Sequence, residues 1–140
     1  MLLAYYPAAG SGVEGYENYY LVLSDKEDVS YDANEGQIKA TSATVAELDL
    51  YAPEGTGIDL PAGTFAASEG KFYYNPELTY VENFDDKGNS DSSVDIASDI
   101  TVSKAENDGN VTYTLSFSDA NGTQYSYVGE MVFNNMSAGS

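Results

Sequence analysis

The sequence predicts an all-β domain, an antiparallel β-sandwich, with a flattened or calycin-like β-barrel as the alternative. Three observations carry this expectation. Apolar residues recur at every second position, most plainly at Val111, Tyr113, Leu115 and Phe117 and again at Tyr125, Tyr127, Met131 and Phe133, the period of a strand with one dry and one wet face. Such runs are short and are separated by turns rich in Gly, Pro, Asn and Asp. No long segment has a helical period, and many short strands joined by turns argue a sandwich or barrel.

Residues 2–6 form a short apolar run stopped by Pro7, read as a first edge strand. Gly10, Gly12 and Gly15 then spell G-x-G-x-x-G. That fingerprint requires a helix directly after it to hold a pyrophosphate, and the residues that follow are strand formers, so the dinucleotide reading is set aside. Residues 19–23 (Tyr-Tyr-Leu-Val-Leu) are apolar on both faces, the mark of a central strand covered on both sides. Left bare, such a run invites aggregation, so its outer face must be covered by the N-terminal segment, a neighbouring domain or a partner, and internal cover is expected.

Residues 24–43 are polar and read as a loop, with a turn at Asn34-Glu35-Gly36. Ala46, Leu48 and Leu50 alternate with Glu47 and Asp49, giving a strand that ends before Pro53; Tyr51 and the turn Pro53-Glu54-Gly55 outweigh the helix preference of Ala, Glu and Leu. After Ile58 and Leu60, Pro61-Ala62-Gly63 leads into a strand at Thr64-Phe65. Residues 71–74 and 78–84 are expected strands around a bend at Asn75-Pro76, and residues 85–93 a polar loop. Alternation returns at Val94-Asp95-Ile96 and Ile100-Thr101-Val102, and residues 106–110 turn into the C-terminal hairpin.

That hairpin selects its own register. A two-residue loop at Asn121-Gly122 would set Phe117 opposite Ser126 and point the two apolar faces apart. A three-residue loop, Ala120-Asn121-Gly122, sets Phe117 against Tyr125, Leu115 against Tyr127, Tyr113 against Gly129 and Val111 against Met131, so the faces coincide. Gly122 then takes the left-handed position of a G1 bulge, and Tyr113 has bare backbone opposite for its ring.

Composition removes whole classes of chemistry. At 140 residues one domain is expected, residues 1–134, with residues 135–140 as a flexible end. There is no Cys, His, Arg or Trp, which excludes disulfides, Ser-His-Asp and Cys-His catalysis, the usual zinc sites and bidentate guanidinium clamps. Five lysines face 23 acids, a net charge of −18 that repels nucleic-acid phosphates and anionic lipid. No run is long enough to span a bilayer, and residues 1–4 are too short for a signal peptide, so the chain is expected to be cytoplasmic or a mature fragment.

The order of several pieces resembles an uncharacterised β-domain of secreted or lipid-anchored surface proteins of Gram-negative gut bacteria. The pieces are Asn18-Tyr19-Tyr20-Leu21-Val22-Leu23-Ser24-Asp25, Leu48-Asp49-Leu50-Tyr51, Leu60-Pro61-Ala62-Gly63-Thr64-Phe65, Ile100-Thr101-Val102-Ser103-Lys104, and Asp119-Ala120-Asn121-Gly122 with Tyr127-Val128-Gly129. The resemblance implies an extracytoplasmic module, secreted or at the cell surface, with neighbouring domains in a larger protein. It brings no catalytic residues with it.

The expected function is a non-catalytic module that binds a ligand, glycan first and protein second, or serves as a structural block. Thirteen tyrosines carry that expectation. Consecutive aromatics at Phe72-Tyr73-Tyr74 beside Asn75-Pro76 cannot all point inward along a strand, so Tyr73, Tyr74, Tyr80 and Asn75 are the candidate ligand residues. The alternative is a carboxylate-based hydrolase acting on carbohydrate. No cofactor is expected. Asp85, Asp86, Asn89 and Asp91 around Gly88 offer oxygens of the kind calcium takes, though EF-hand spacing fails. Ser68-Glu69-Gly70-Lys71 matches S-x-x-K without its companion motifs, and Asn110-Val111-Thr112 and Asn121-Gly122-Thr123 are sequons in form.

Overall fold

Two sheets face one another across a single apolar layer, and they do not close into a barrel. The structure is a computed structural model that describes residues 2–6, 13–25, 30–32, 37–57, 59–67, 70–130 and 132–133. The strands are β1 (Leu2–Tyr6), β2 (Tyr16–Ser24), β3 (Ser30–Asp32), β4 (Gln37–Lys39), β5 (Thr44–Pro53), β6 (Gly63–Phe65), β7 (Tyr73–Tyr74), β8 (Tyr80–Phe84), β9 (Ser90–Asp95), β10 (Ile100–Asn107), β11 (Asn110–Ser118), β12 (Gln124–Gly129) and β13 (Val132–Phe133). The larger sheet runs β13-β1-β2-β5-β8-β9, with β7 also paired to β5; the smaller runs β12-β11-β10-β6; β3 and β4 pair with each other. The fold is the expected β-sandwich.

Its core is what the alternation demands. Tyr19, Leu21 and Leu23 of β2, with Leu48 and Leu50 of β5, meet Phe65, Ile100, Val102, Leu115 and Phe117 of the smaller sheet. Leu21, Leu48, Leu50, Phe65, Ile100 and Leu115 are fully buried, each contributing about 1.5–3 kcal/mol from removal of apolar surface. Two stitches join the sheets at their corners. Tyr74 N–H donates to Ala66 O at 2.8 Å, and Ala120 N–H donates to Asp95 O at 2.9 Å.

The C-terminal hairpin has the predicted register, with Phe117 opposite Tyr125, Leu115 opposite Tyr127 and Tyr113 opposite Gly129. Gly122 sits at φ 85° in the left-handed position. One detail differs: the ring lying over Gly129 is that of Tyr127, whose hydroxyl is 2.6 Å from where a Cβ on Gly129 would be. The predicted turn before it is the two-residue loop Asp108-Gly109, both at positive φ, 52° and 85°, as a type I′ hairpin requires.

Several expectations need correcting. Residues 2–6 do form a strand, but not at the edge: β13 adds parallel to β1, outside it. Residues 24–43 contain the β3–β4 hairpin, and residues 85–93 already include the start of β9. Strand β7 is only Tyr73–Tyr74, and Pro76–Leu78 is a 3-10 turn capped by Asn75 before β8 begins at Tyr80. The cover of β2 is internal, but it comes from residues 38–43 and not from the N-terminal segment, which pairs alongside β2 as β1. Ala40 and Ala43, with half-buried Ile38, pack against Val22 and Val45 on the outer face of the larger sheet. Gly10, Gly12, Asn34-Glu35-Gly36, Ile58, Ser68, Met131 and residues 135–140 lie outside the described residues.

Candidate functional site

The outer face of the larger sheet is where the tyrosines and acids meet. Along β5, Ala46, Leu48 and Leu50 point into the core, so Val45, Glu47, Asp49 and Tyr51 point outward. An alternating strand would leave that second set wet. Here β5 lies between β2 and β8, and the face is covered: Glu47 and Asp49 are each only 5% exposed.

Glu47 Oε1 accepts the hydroxyls of Tyr20 from β2 and Tyr80 from β8, both at 3.1 Å. Its Oε2 is buried and has no hydrogen-bond donor among the described residues. Burial pushes its carboxyl up from an ordinary 4.5 to about 7, helped by the neighbouring Glu82 carboxyl and opposed by the Tyr20 and Tyr80 hydroxyls. One turn of the pleat away, Asp49 accepts Asn18 Nδ2 at 2.7 Å and the Tyr51 hydroxyl at 3.2 Å. Burial raises its carboxyl too, with those two donors working the other way. The phenols respond in kind: burial, then the neighbouring carboxylate, hold Tyr51 and Tyr80 well above the usual tyrosine range.

Toward the end of β5 the acids give way to rings. Tyr51 and Tyr73 stack at 5.0 Å between centroids and 11° between planes, and Tyr16 meets Tyr73 edge-on at 5.0 Å and 82°. The Tyr16 hydroxyl donates to Gly70 O at 2.9 Å. Beside the stack is a shallow recess of about 260 Å³, lined by Val13, Tyr51, Ala67, Tyr73, Tyr74, Asn75 and Pro76. Asn75 Oδ1 accepts the Glu77 N–H at 3.0 Å, capping the 3-10 turn and fixing the rim.

The four predicted ligand residues therefore part company. Tyr73 is half-buried, and it and Asn75 frame the recess. Tyr80 shares their face but is spent on Glu47. Tyr74 is corrected: it is 1% exposed and its hydroxyl donates into the core, to Ser98 O at 2.8 Å. Adjacent strand residues face opposite ways, so Tyr73 outward requires Tyr74 inward.

The calcium candidates Asp85, Asp86, Asn89 and Asp91 sit in and beside the turn between β8 and β9. Asp85 Oδ1 accepts the N–H groups of Lys87 and Asn89, each at 2.9 Å, while Asp86, Asn89 and Asp91 are exposed. Among the described residues no group of three or more acids is arranged to hold a metal ion. Gly15 leads directly into β2, a strand.

Sequence reasoning missed Glu47, Asp49, Glu82 and Asn18. A signal existed: β2 reads as covered on both faces, so whatever pairs with its outer residues must be covered as well. The pairing itself, Val22 with Glu47 and Tyr20 with Asp49, is set by tertiary structure. Comparison with protein-family models, curated proteins and solved structures finds no match for this chain.

Proposed function

We propose that this sandwich is a non-catalytic binding module, that the recess beside Tyr73 is its ligand site, and that the ligand is a neutral glycan residue. The observation that supports the reading is the stacked Tyr51–Tyr73 pair walling a recess of about 260 Å³ with an amide at its rim. An aromatic face receives the C–H surface of a sugar ring, and the Asn75 amide offers hydrogen bonds to its hydroxyls. The volume suits about one ring, below the usual range for drug-sized ligands. A net charge of −18 disfavours acidic sugars. A place at the cell surface or in a secreted protein, beside other domains, belongs to the same proposal and rests on the resemblance quoted above.

The test is a glycan-array screen followed by calorimetry on wild type and Tyr73→Leu, which keeps apolar bulk but removes the ring. A wild-type hit weakened ten-fold or more, with an unchanged circular dichroism spectrum, supports the reading. No hit for wild type, or equal binding by the variant, overturns it.

The second reading is the carboxylate-based hydrolase, favoured by the Glu47 carboxyl holding its proton near neutrality beside Glu82. Against it, Glu47 is 5% exposed and bonded to two phenols, which leaves little room for a substrate oxygen. Sugar release by wild type that is lost in Glu47→Gln would move the function to the acids.

A further inference from the structure

We propose that Glu47 and Glu82 share one proton across the β5–β8 pair, making a proton-binding site that locks the two strands together and opens as the solution turns alkaline. Glu47 is opposite Tyr80 and Val45 opposite Glu82, so the two glutamates are diagonal neighbours on one face of an antiparallel pair, within reach of each other's side chains. Glu47 Oε1 already holds two hydroxyl donors, and Oε2 is buried with none. A buried, uncompensated carboxylate oxygen is costly. A proton on Oε2 removes the cost, because the resulting O–H donates to the Glu82 carboxylate. The Glu82 charge favours that proton on Glu47.

Among the described residues no hydrogen-bond donor reaches Oε2. Among the described residues, the titratable groups facing Glu47 are Tyr20 from β2, Tyr80 and Glu82 from β8, Asp49 on its own strand, and Asp95 of β9, which lies opposite Tyr80. The phenols donate to Oε1, and the Glu82 charge favours the proton further.

The sign of the effect follows. The folded chain holds this proton up to about pH 7, whereas the unfolded chain releases it near 4.5. The stabilisation is complete below 4.5 and is lost as pH rises through 7. Over that window the unfolding constant should grow by up to about ten-fold per pH unit from this site alone.

Glu47→Gln isolates it. The glutamine Oε1 still accepts both phenols, and its Nε2 donates to Glu82 permanently, as the shared proton does. Urea denaturation of both proteins from pH 5 to 8 should show wild type losing stability relative to the variant as pH rises, the ratio of unfolding constants levelling off at the alkaline end. A constant ratio overturns the proposal. Should Glu47→Gln not fold, Glu82→Gln makes the reciprocal contact and should flatten the same profile. An infrared carbonyl band of a protonated carboxylic acid in wild type at pH 6, gone at pH 9, is the independent readout, and its absence at pH 6 also overturns the proposal. Calcium that restores wild-type stability at pH 8 without affecting Glu47→Gln would assign the pair to a cation instead.

Discussion

Replacing Thr79 by valine tests how the recess is built. Thr79 is fully buried, at the end of the turn that carries Asn75 and Pro76. That turn interrupts the pairing of β5, which bonds β7 at Leu50 and Tyr51 and β8 from Thr44 to Glu47. The gap leaves the Asp49 backbone needing partners. Thr79 Oγ1 accepts its N–H at 3.1 Å, and the Asn75 N–H donates to its carbonyl at 3.0 Å. Valine has nearly the same shape and no acceptor, so it leaves a buried N–H unsatisfied, at about 1–3 kcal/mol. Serine keeps the acceptor and loses one methyl, worth about 1 kcal/mol. With about 3–4 °C per kcal/mol for a chain of this size, a mid-range cost of about 2 kcal/mol for Thr79→Val should lower Tm by about 6–8 °C, and Thr79→Ser by about half that. Thermal unfolding followed by far-ultraviolet circular dichroism measures both. Valine equal to wild type, or more stable than serine, would refute the assignment of that hydrogen bond.

Two further outcomes concern the C-terminal hairpin. Gly122→Ala puts a side chain at φ 85° with no heavy atom within 4 Å of the new Cβ, so the cost is backbone strain alone. Urea unfolding should show a loss of about 1–2 kcal/mol. Asp119 gives pH dependence of the opposite sense to Glu47. Burial disfavours its carboxylate, but hydrogen bonds from the Tyr125 hydroxyl and from the Thr123, Asn121 and Gly122 amides prevail and hold it below its ordinary 3.8. Its contribution is therefore present above pH 3.8 and lost as pH falls through the lower, folded value. The stability gap between wild type and Asp119→Asn should close on acidification below that point, and a gap independent of pH would contradict the hydrogen-bond assignment.

What the sequence made legible is what local rules decide. The register of β11 and β12 could be read because a slip of one residue exposes Phe117, Leu115 and Tyr113 together, a penalty no turn preference overcomes. Alternation says that Tyr73 and Tyr74 cannot share a face, but which of them turns outward is set by the pairing of Tyr73 with Tyr51 and of Tyr74 with Leu50. The position of β1 could not be read, because its outer partner is the two-residue strand Val132–Phe133, about 130 residues further along the chain. The burial of Glu47 and Asp49 was only half legible: the two-faced cover of β2 hinted at it, but not which residues pair with β2. Alternation says only that they oppose Leu48, and whether the second face is wet depends on Ile38, Ala40 and Ala43 arriving from a stretch too polar to announce itself.

The excess of tyrosine has a physical cause in the same acids. With no arginine or histidine, a desolvated carboxylate here must be satisfied chiefly by uncharged donors. Four buried acids each take a phenol: Glu17 that of Tyr19, Glu47 those of Tyr20 and Tyr80, Asp49 that of Tyr51, and Asp119 that of Tyr125. What distinguishes them is the backbone. Glu17 and Asp119 sit beside loops and also collect main-chain amides, from Gly55 and Gly57 and from Asn121 and Thr123. Glu47 and Asp49 sit mid-strand, where the sheet ladder uses most of the amides and only side chains are left to donate. Asp119, with its amides, is held below the ordinary carboxylate range, while Asp49 and Glu47, without them, are pushed above it. Burial works against all three carboxylates, and donor supply decides whether it prevails, as at Glu47 and Asp49, or is overcome, as at Asp119. The one with an oxygen left over and a second carboxyl beside it, Glu47, is the one that needs a proton to complete its shell.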